Sequence, residues 1–218
     1  YQFHITAGGT YKVLDNLSVS LGLRAVYASN NYNGFVEDVN ASYDIPANAT
    51  YGFPGLQGSV NLKDNSISLN CDQTGWGVAP IIGVDYKVGN LNLGLKYEFK
   101  TRMRLKNKSA NSLSAENISM LGKFADGKKV AEDSPALLTV GAQYSIVPSV
   151  RVMAGWHHYF DVDTEQWTKE MLDDTNEYLL GAEWDINKMV TVSAGGQRTE
   201  YGYKDAGMND ISFNVNSY

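Results

Sequence analysis

The residues that could do chemistry in this chain are few and scattered. Its three histidines are His4, His157 and His158, and the last two are adjacent. In an extended segment adjacent side chains point to opposite faces, so this pair cannot easily clamp one metal. No serine, histidine and aspartate fall in a context that would build a nucleophile and its base. The run "DVDTEQWTKEML", Asp161 to Leu172, opens like a calcium loop. It carries Gln166 where that loop turns on a glycine and Leu172 where a bidentate glutamate closes it. There is no phosphate loop and no zinc spacing. The expectation is no catalytic residue, no metal and no cofactor. What remains is a group of cations, Arg24, Lys96, Arg102 and Arg151. A buried carboxylate ligand would want such a group, and arginine would grip it with a two-toothed fork. The competing role is plainer: interior salt bridges that need no ligand.

The elements that must position these cations are strands. In "LSVSLGLRAVY", Leu17, Val19, Leu21, Leu23, Ala25 and Tyr27 take every second position, and Ser18, Ser20, Gly22 and Arg24 lie between them. Such alternation gives one greasy face and one small, polar face. The pattern recurs in "FHITAGGTYKV", "WGVAPIIGVDYKV", "LNLGLKYEF", "ALLTVGAQYSI", "VRVMAGWHHYF", "YLLGAEWDI", "VTVSAGGQR" and "ISFNV", nine candidate strands in all. The polar phase holds Arg24, Asp85, Lys96, Glu98, Lys100, Arg102, Arg151, His157, Glu183 and Gln197. Helical periodicity is nearly absent; Glu165 to Leu172 could make one short helical turn.

The connections alternate in length. Short ones fall at Leu14-Asp15-Asn16, Gly89-Asn90, Val147-Pro148-Ser149 and Asn187-Lys188, with turn-forming residues at hairpin length. The others are long and polar: about 28–75, 105–135, 161–176 and 202–209. Short turns at one end and long loops at the other predict an all-β, antiparallel transmembrane β-barrel with the long loops outside the cell. A soluble sandwich or lipocalin-like barrel also alternates. Three features favour lipid. The strands run to about 9–13 residues against a usual 5–6. Aromatic residues gather near strand ends, as interfacial girdles require. The loop lengths are asymmetric. Composition agrees with this reading: 18 basic and 24 acidic residues give a net charge of −6, which argues against nucleic-acid binding. The one cysteine, Cys71, rules out an internal disulfide framework. No apolar run approaches the length of a spanning helix. Nine is an odd number for a barrel, and Tyr1 is not an initiator methionine, so the chain is expected to be a partial barrel domain over 1–218.

Three stretches carry a family resemblance. "DSPALLTVGAQYSIVPSVRVMAGWHHYFD" resembles the Pro-Ala strand and following hairpin of the FadL/TodX transporters of long-chain fatty acids and hydrocarbons. "TGWGVAPIIGVDYKVGNLNLGLKYEFKTRMRL" is similar to that family's Gly-rich hairpin, and "NEYLLGAEWDINKMVTVSAGGQRTEYGY" with "DISF" to its hairpin near the C-terminus. The resemblance implies a 14-stranded barrel with an N-terminal plug inside it; neither the plug nor the first strands are recognisable here. It also implies that the loops 28–75 and 105–135 form a groove that first captures a hydrophobic ligand.

Within those loops the apolar residues Tyr32, Phe35, Tyr51, Phe53, Leu56, Leu113, Ile118, Leu121 and Phe124 are the candidate wall, although aromatics in a polar loop also serve simply to hold it together. Arg24, Lys96 and Arg102 are the candidates for a head group. The reading is an outer-membrane channel for passive uptake of hydrophobic molecules such as long-chain fatty acids or hydrocarbons, with no enzymatic activity. The alternative is a structural or adhesive barrel whose loops bind a partner. Expected partners are hydrophobic small molecules and the surrounding outer-membrane lipid and lipopolysaccharide, with no nucleic acid.

Overall fold

The computed structural model describes residues 1–36, 39–45, 56–62, 67–111, 122–165, 173–202 and 214–217, with backbone alone at 36, 39–45, 56–62, 67 and 214–217. Nine antiparallel strands form the main path of one sheet. In path order they are β1 (Gln2–Leu14), β2 (Leu17–Val36), β5 (Ile67–Val88), β6 (Leu91–Glu98), β9 (Ala136–Val147), β10 (Val150–Phe160), β11 (Thr175–Asn187), β12 (Val190–Glu200) and β13 (Asn214–Ser217). Eight of these match expected segments; the ninth, β13, overlaps the expected "ISFNV" at Asn214 and Val215, and the rest of that segment lies outside the described residues. The chain forms two compact units: Tyr1 with Ala28–Thr74 and Leu105–Val130, and Gln2–Tyr27 with Gly75–Arg104 and Ala131–Tyr218.

In the larger unit the short connections are tight turns. Gly89 adopts φ 56°, a left-handed conformation that glycine takes without steric cost. At the β11–β12 turn the Asn187 Oδ1 accepts the backbone N–H groups of Met189 and Val190 at 2.9 and 3.1 Å, closing the chain reversal. Pairing is continuous through β6, β9, β10, β11 and β12, with Gly94 opposite Gly141, Gly141 opposite Gly155, and Gly181 opposite Gly195.

The two faces of this sheet are opposite to those of a soluble protein. One face exposes Leu21 at 65%, Trp76 at 73% and Leu180 at 70%, with Ile82, Val84, Leu95, Val140 and Trp184 in the same phase. The other carries the charges and hydroxyls. Few apolar residues are buried among those described: Val26, Ala28, Cys71, Ala79, Met103, Leu105, Phe124 and Ala136. A water-soluble sandwich of this size would bury its large aliphatic residues, not present them in ranks. In lipid the same arrangement is the stable one, because the greasy face needs no cover and the strand ladder satisfies the backbone.

The long connections differ from the sequence-based expectation in what they contain. The stretch 28–75 is not simply loop: β2 runs on to Val36, β5 begins at Ile67, and a separate antiparallel pair, β3 (Val39–Ile45) with β4 (Leu56–Leu62), lies between them. Likewise 105–135 contains β7 (Arg104–Ser109), which pairs with β5 from Cys71↔Ser109 to Thr74↔Lys106, and β8 (Lys129–Ala131), which pairs with β7. The reason is that β6 ends at Glu98, so the earlier part of β5 takes β7 as its partner instead. A strand outside lipid has no need of an apolar face, so alternation of greasy residues could not mark it. After β10 the chain makes a short 3-10 turn at Asp161–Asp163; most of the helical turn expected at 165–172 lies outside the described residues.

Candidate functional site

Three of the four expected cations, Arg24, Lys96 and Arg151, fall on the polar face of the larger unit, and two of them are already engaged. Arg24 Nη1 donates to Glu98 Oε1 and its Nε to Thr6 Oγ1 at 3.1 Å. Arg151 donates to Glu183 at 3.0 Å and to both oxygens of Asp185 at 2.7 and 3.0 Å, and Thr191 also donates to Asp185. These are the intramural salt bridges that strand alternation makes possible, since Arg151 lies directly opposite Glu183. Glu177 gathers a further group. It bonds His157 Nδ1 at 2.9 Å and accepts from Tyr159 Oη at 3.2 Å and Thr199 Oγ1 at 3.4 Å. His158 turns the other way, to Asn176 at 2.9 Å, so the adjacent histidines do not converge. Among the described residues no three metal-ligating side chains cluster.

Lys96 is different. It stands opposite Thr139 on one side and Gly83 on the other. Among the described residues no carboxylate pairs with it. It lines a concavity of about 450 Å³ with Ser18, Ser20, Gly83, Asp85, Asn92, Gly94, Thr139 and Gln143. Two buried polar atoms on the same face, Thr139 Oγ1 and Glu98 Oε2, have no hydrogen-bond partner among the described residues. An unpaired ammonium beside an unused hydroxyl is an arrangement that can receive an anionic group. The floor of the concavity is open because glycines replace side chains there. Gly83, Gly94 and Gly141 line it, and with Gly8, Gly22, Gly155, Gly181 and Gly195 they place at least one glycine in the polar phase of each of eight strands. Sequence reasoning missed this belt, although its signal was visible as at least one glycine per strand in the small, polar phase.

Arg102 does not share this face by the expected rule. Strand β6 stops at Glu98, Thr101 makes an isolated bridge to Ser134, and beyond it Met103 and Leu105 are buried while Arg102 is exposed. The alternation that placed Arg102 beside Lys96 and Glu98 is interrupted there. This irregular stretch is held by a residue that drew no notice in the sequence. Asp133 is buried and accepts from Met103 N at 3.1 Å, Arg104 Nη1 at 3.0 Å and Glu165 N at 3.2 Å, with Lys100 4.0 Å away. It ties the ends of three connections together. Nearby, burial pushes the Asp161 carboxyl above its usual range, while hydrogen bonds from Thr175 pull it down.

The apolar candidates of the long connections fall within the smaller unit. Tyr32 packs on Phe124 with ring centroids 4.9 Å apart, and Lys123 Nζ lies 4.9 Å from the Phe124 ring centre. Phe124 is buried, so it serves packing here, while Phe35 is 73% exposed. The packing is fixed by polar links. Asn107 accepts from Gln73 at 2.9 Å and donates to the carbonyls of Lys123 and Ala125, and Ser109 donates to the Phe124 carbonyl at 2.6 Å. Tyr51, Phe53, Leu113, Ile118 and Leu121 lie outside the described residues, and of Leu56 only the backbone, in β4, is described.

The family described as "Outer membrane protein transport protein (OMPP1/FadL/TodX)" matches residues 2–207. Outer membrane protein P1 of Haemophilus influenzae is 25% identical over 213 residues, covering 88% of this chain and 45% of that protein. The chain therefore spans about half the length of the curated relative it matches. Among solved structures, a Pseudomonas aeruginosa FadL homologue superposes with a TM-score of 0.63 at 16% identity, over 95% of this chain and 51% of that one. The CymD monoaromatic hydrocarbon channel superposes with a TM-score of 0.58 at 15% identity, over 92% and 60%. Likenesses at this identity speak for the fold, an antiparallel barrel of which this chain is a part. With the family match running almost end to end and the greasy face turned outward, the chain belongs to the OMPP1/FadL/TodX family of outer-membrane transport proteins, a family of channels rather than enzymes.

Proposed function

We propose that this chain forms part of the wall and entry of an outer-membrane channel that takes up hydrophobic molecules by passive diffusion, with long-chain fatty acids the first class to test. The observation that carries the reading is the inverted sheet, greasy outside and polar inside, in a chain of the FadL/TodX family. One structural neighbour is named as a monoaromatic hydrocarbon channel, the family resemblance adds long-chain fatty acids, and an apolar entry near Tyr32 and Phe35 suits either. Long connections outside the cell would present that entry to the medium.

Fatty acids and hydrocarbons differ in one respect that a protein can read, the carboxylate. Arg24 is committed to Glu98, which leaves Lys96, with the Thr139 hydroxyl beside it, as the group to meet a head group. In uptake assays on cells carrying the full-length protein, Lys96→Gln should slow a long-chain fatty acid about tenfold, the worth of one hydrogen bond to a charged group. Uptake of a neutral alkane should stay within about twofold of wild type. Equal loss for both cargoes would remove Lys96 from head-group recognition. If the full-length protein moves neither cargo, the structural or adhesive reading becomes the better one.

A further inference from the structure

We propose that the exposed lysines of β7 and β8 dock the phosphate groups of lipopolysaccharide in the outer leaflet around the barrel. The chain as a whole is acidic, at −6, yet residues 105–130 hold five lysines against two acidic residues, Glu116 and Asp126. Charge of one sign is therefore gathered into this stretch, against the trend of the chain. The structure turns four of the five to the surface: Lys106, Lys108, Lys128 and Lys129 are exposed.

They are presented from a rigid support. Lys106 and Lys108 alternate with Leu105 and Asn107, which are 0% and 2% exposed, and they lie opposite Thr74 and Asp72 across the β5–β7 ladder. Alternate residues of a strand stand about 7 Å apart on one face. Among the described residues no carboxylate lies within ion-pair distance of any of the four. The acidic neighbours have other partners: Asp72 accepts from Asn31, and Asp126 accepts from the Ser109 backbone N–H. Lys128 spends one donor on the Gly122 carbonyl and keeps the others. The result is a cationic face with no ion-paired counter-charge among the described residues.

The outer membrane supplies it. A chain of this family is surrounded by a leaflet whose glycolipid carries phosphates that must be neutralised, and basic side chains near such a surface each add to the attraction. Lysine, a compact point charge on a long stem, suits phosphates at uneven heights better than a fixed fork would. The inference rests on the proposal that the long connections lie outside the cell.

The test compares the full-length protein with a Lys106→Gln/Lys108→Gln/Lys129→Gln variant. All three changes are at exposed positions, so folding, read as the heat-modified gel shift, should be retained. Binding to lipopolysaccharide micelles should weaken about tenfold, the combined worth of three exposed ion pairs, and should fall with added salt. Wild type should bind dephosphorylated lipopolysaccharide as weakly as the variant binds the phosphorylated form. Unchanged binding in the variant, or wild-type binding that ignores the phosphates, overturns the proposal. Inhibition by inorganic pyrophosphate at micromolar concentration would assign the lysines to soluble phosphates and overturn the lipid source. A single cysteine at Lys108, probed on whole cells with an impermeant thiol reagent, separates the two readings. Failure to label overturns the outward topology; labelling with no loss of lipopolysaccharide binding in the triple variant overturns only the docking site.

Discussion

Arg24 and Lys96 share a face and a charge, yet among the described residues only Arg24 has a carboxylate partner, and partner geometry makes the difference. Glu98 reaches Arg24 across the sheet and cancels it, whereas Lys96 looks across at a threonine and a glycine. The type and phase of both residues were legible in the sequence. Which cation would be neutralised was not, because Glu98 lies 74 residues from Arg24 and only the strand order brings them together. Glycines pose the same problem. Gly77 and Gly94 look alike in sequence, but a Cβ on Gly77 would stand 2.6 Å from Thr101 Cγ2 and 2.7 Å from the Arg102 carbonyl oxygen, while one on Gly94 would meet nothing within 4 Å. The stretch after β6 crosses β5 at Gly77, and the backbone oxygen there cannot simply rotate away. Gly77→Val should therefore cost about 1–3 kcal/mol, as overpacking does, while Gly94→Val should be far milder. Urea unfolding in lipid vesicles measures both. Equal losses at the two positions would mean that close approach of the chain after β6 is not what Gly77 provides.

At the level of the element, the spanning strands were legible because lipid imposes a period-two code. Leu21 and Val140 belong to that code: both are exposed, on β2 and β9, in the phase of the other aliphatic residues. Replacing either with Arg should cost about 2–4 kcal/mol if it lies at the bilayer midplane, and less towards either interface. Urea titration in vesicles checks this, and a loss below about 0.5 kcal/mol at both positions would take the greasy face out of lipid. Where the code stops, so did the reading. "SNNYNGF" after Tyr27 and "LNCDQTG" before Trp76 read as loop, yet they continue β2 and β5. Nothing greasy is needed there, since the neighbours are polar: Gln73 pairs with Asn107, and Asn31 with Asp72. The same blindness hid Asp133. Its sequence neighbourhood is an ordinary turn, and its importance arises only when Met103, Arg104 and Glu165 arrive from elsewhere in the chain.

For the whole molecule, the order of the strands followed from connection lengths. Short turns force antiparallel neighbours, and the sheet path keeps β1 with β2, β5 with β6, β9 with β10 and β11 with β12. The long connections between these hairpins must then all emerge at the opposite end of the strands, because each hairpin returns the chain to the side from which it started. If one end faces the medium, every long connection does. This yields a test that does not depend on cargo. With Cys71 replaced, a single cysteine at Ala110 or Asp163, both exposed in long connections, should react with an impermeant thiol reagent on whole cells. A cysteine at Asn90 or Lys188, in the tight turns, should react only after the outer membrane is opened. Labelling at Asn90 and Lys188 on intact cells, with none at Ala110 and Asp163, would invert the barrel and place the apolar entry and the lysine face in the periplasm. Mixed labelling within either set would break the rule that hairpins return the chain to one side, and with it the strand order as the source of the topology.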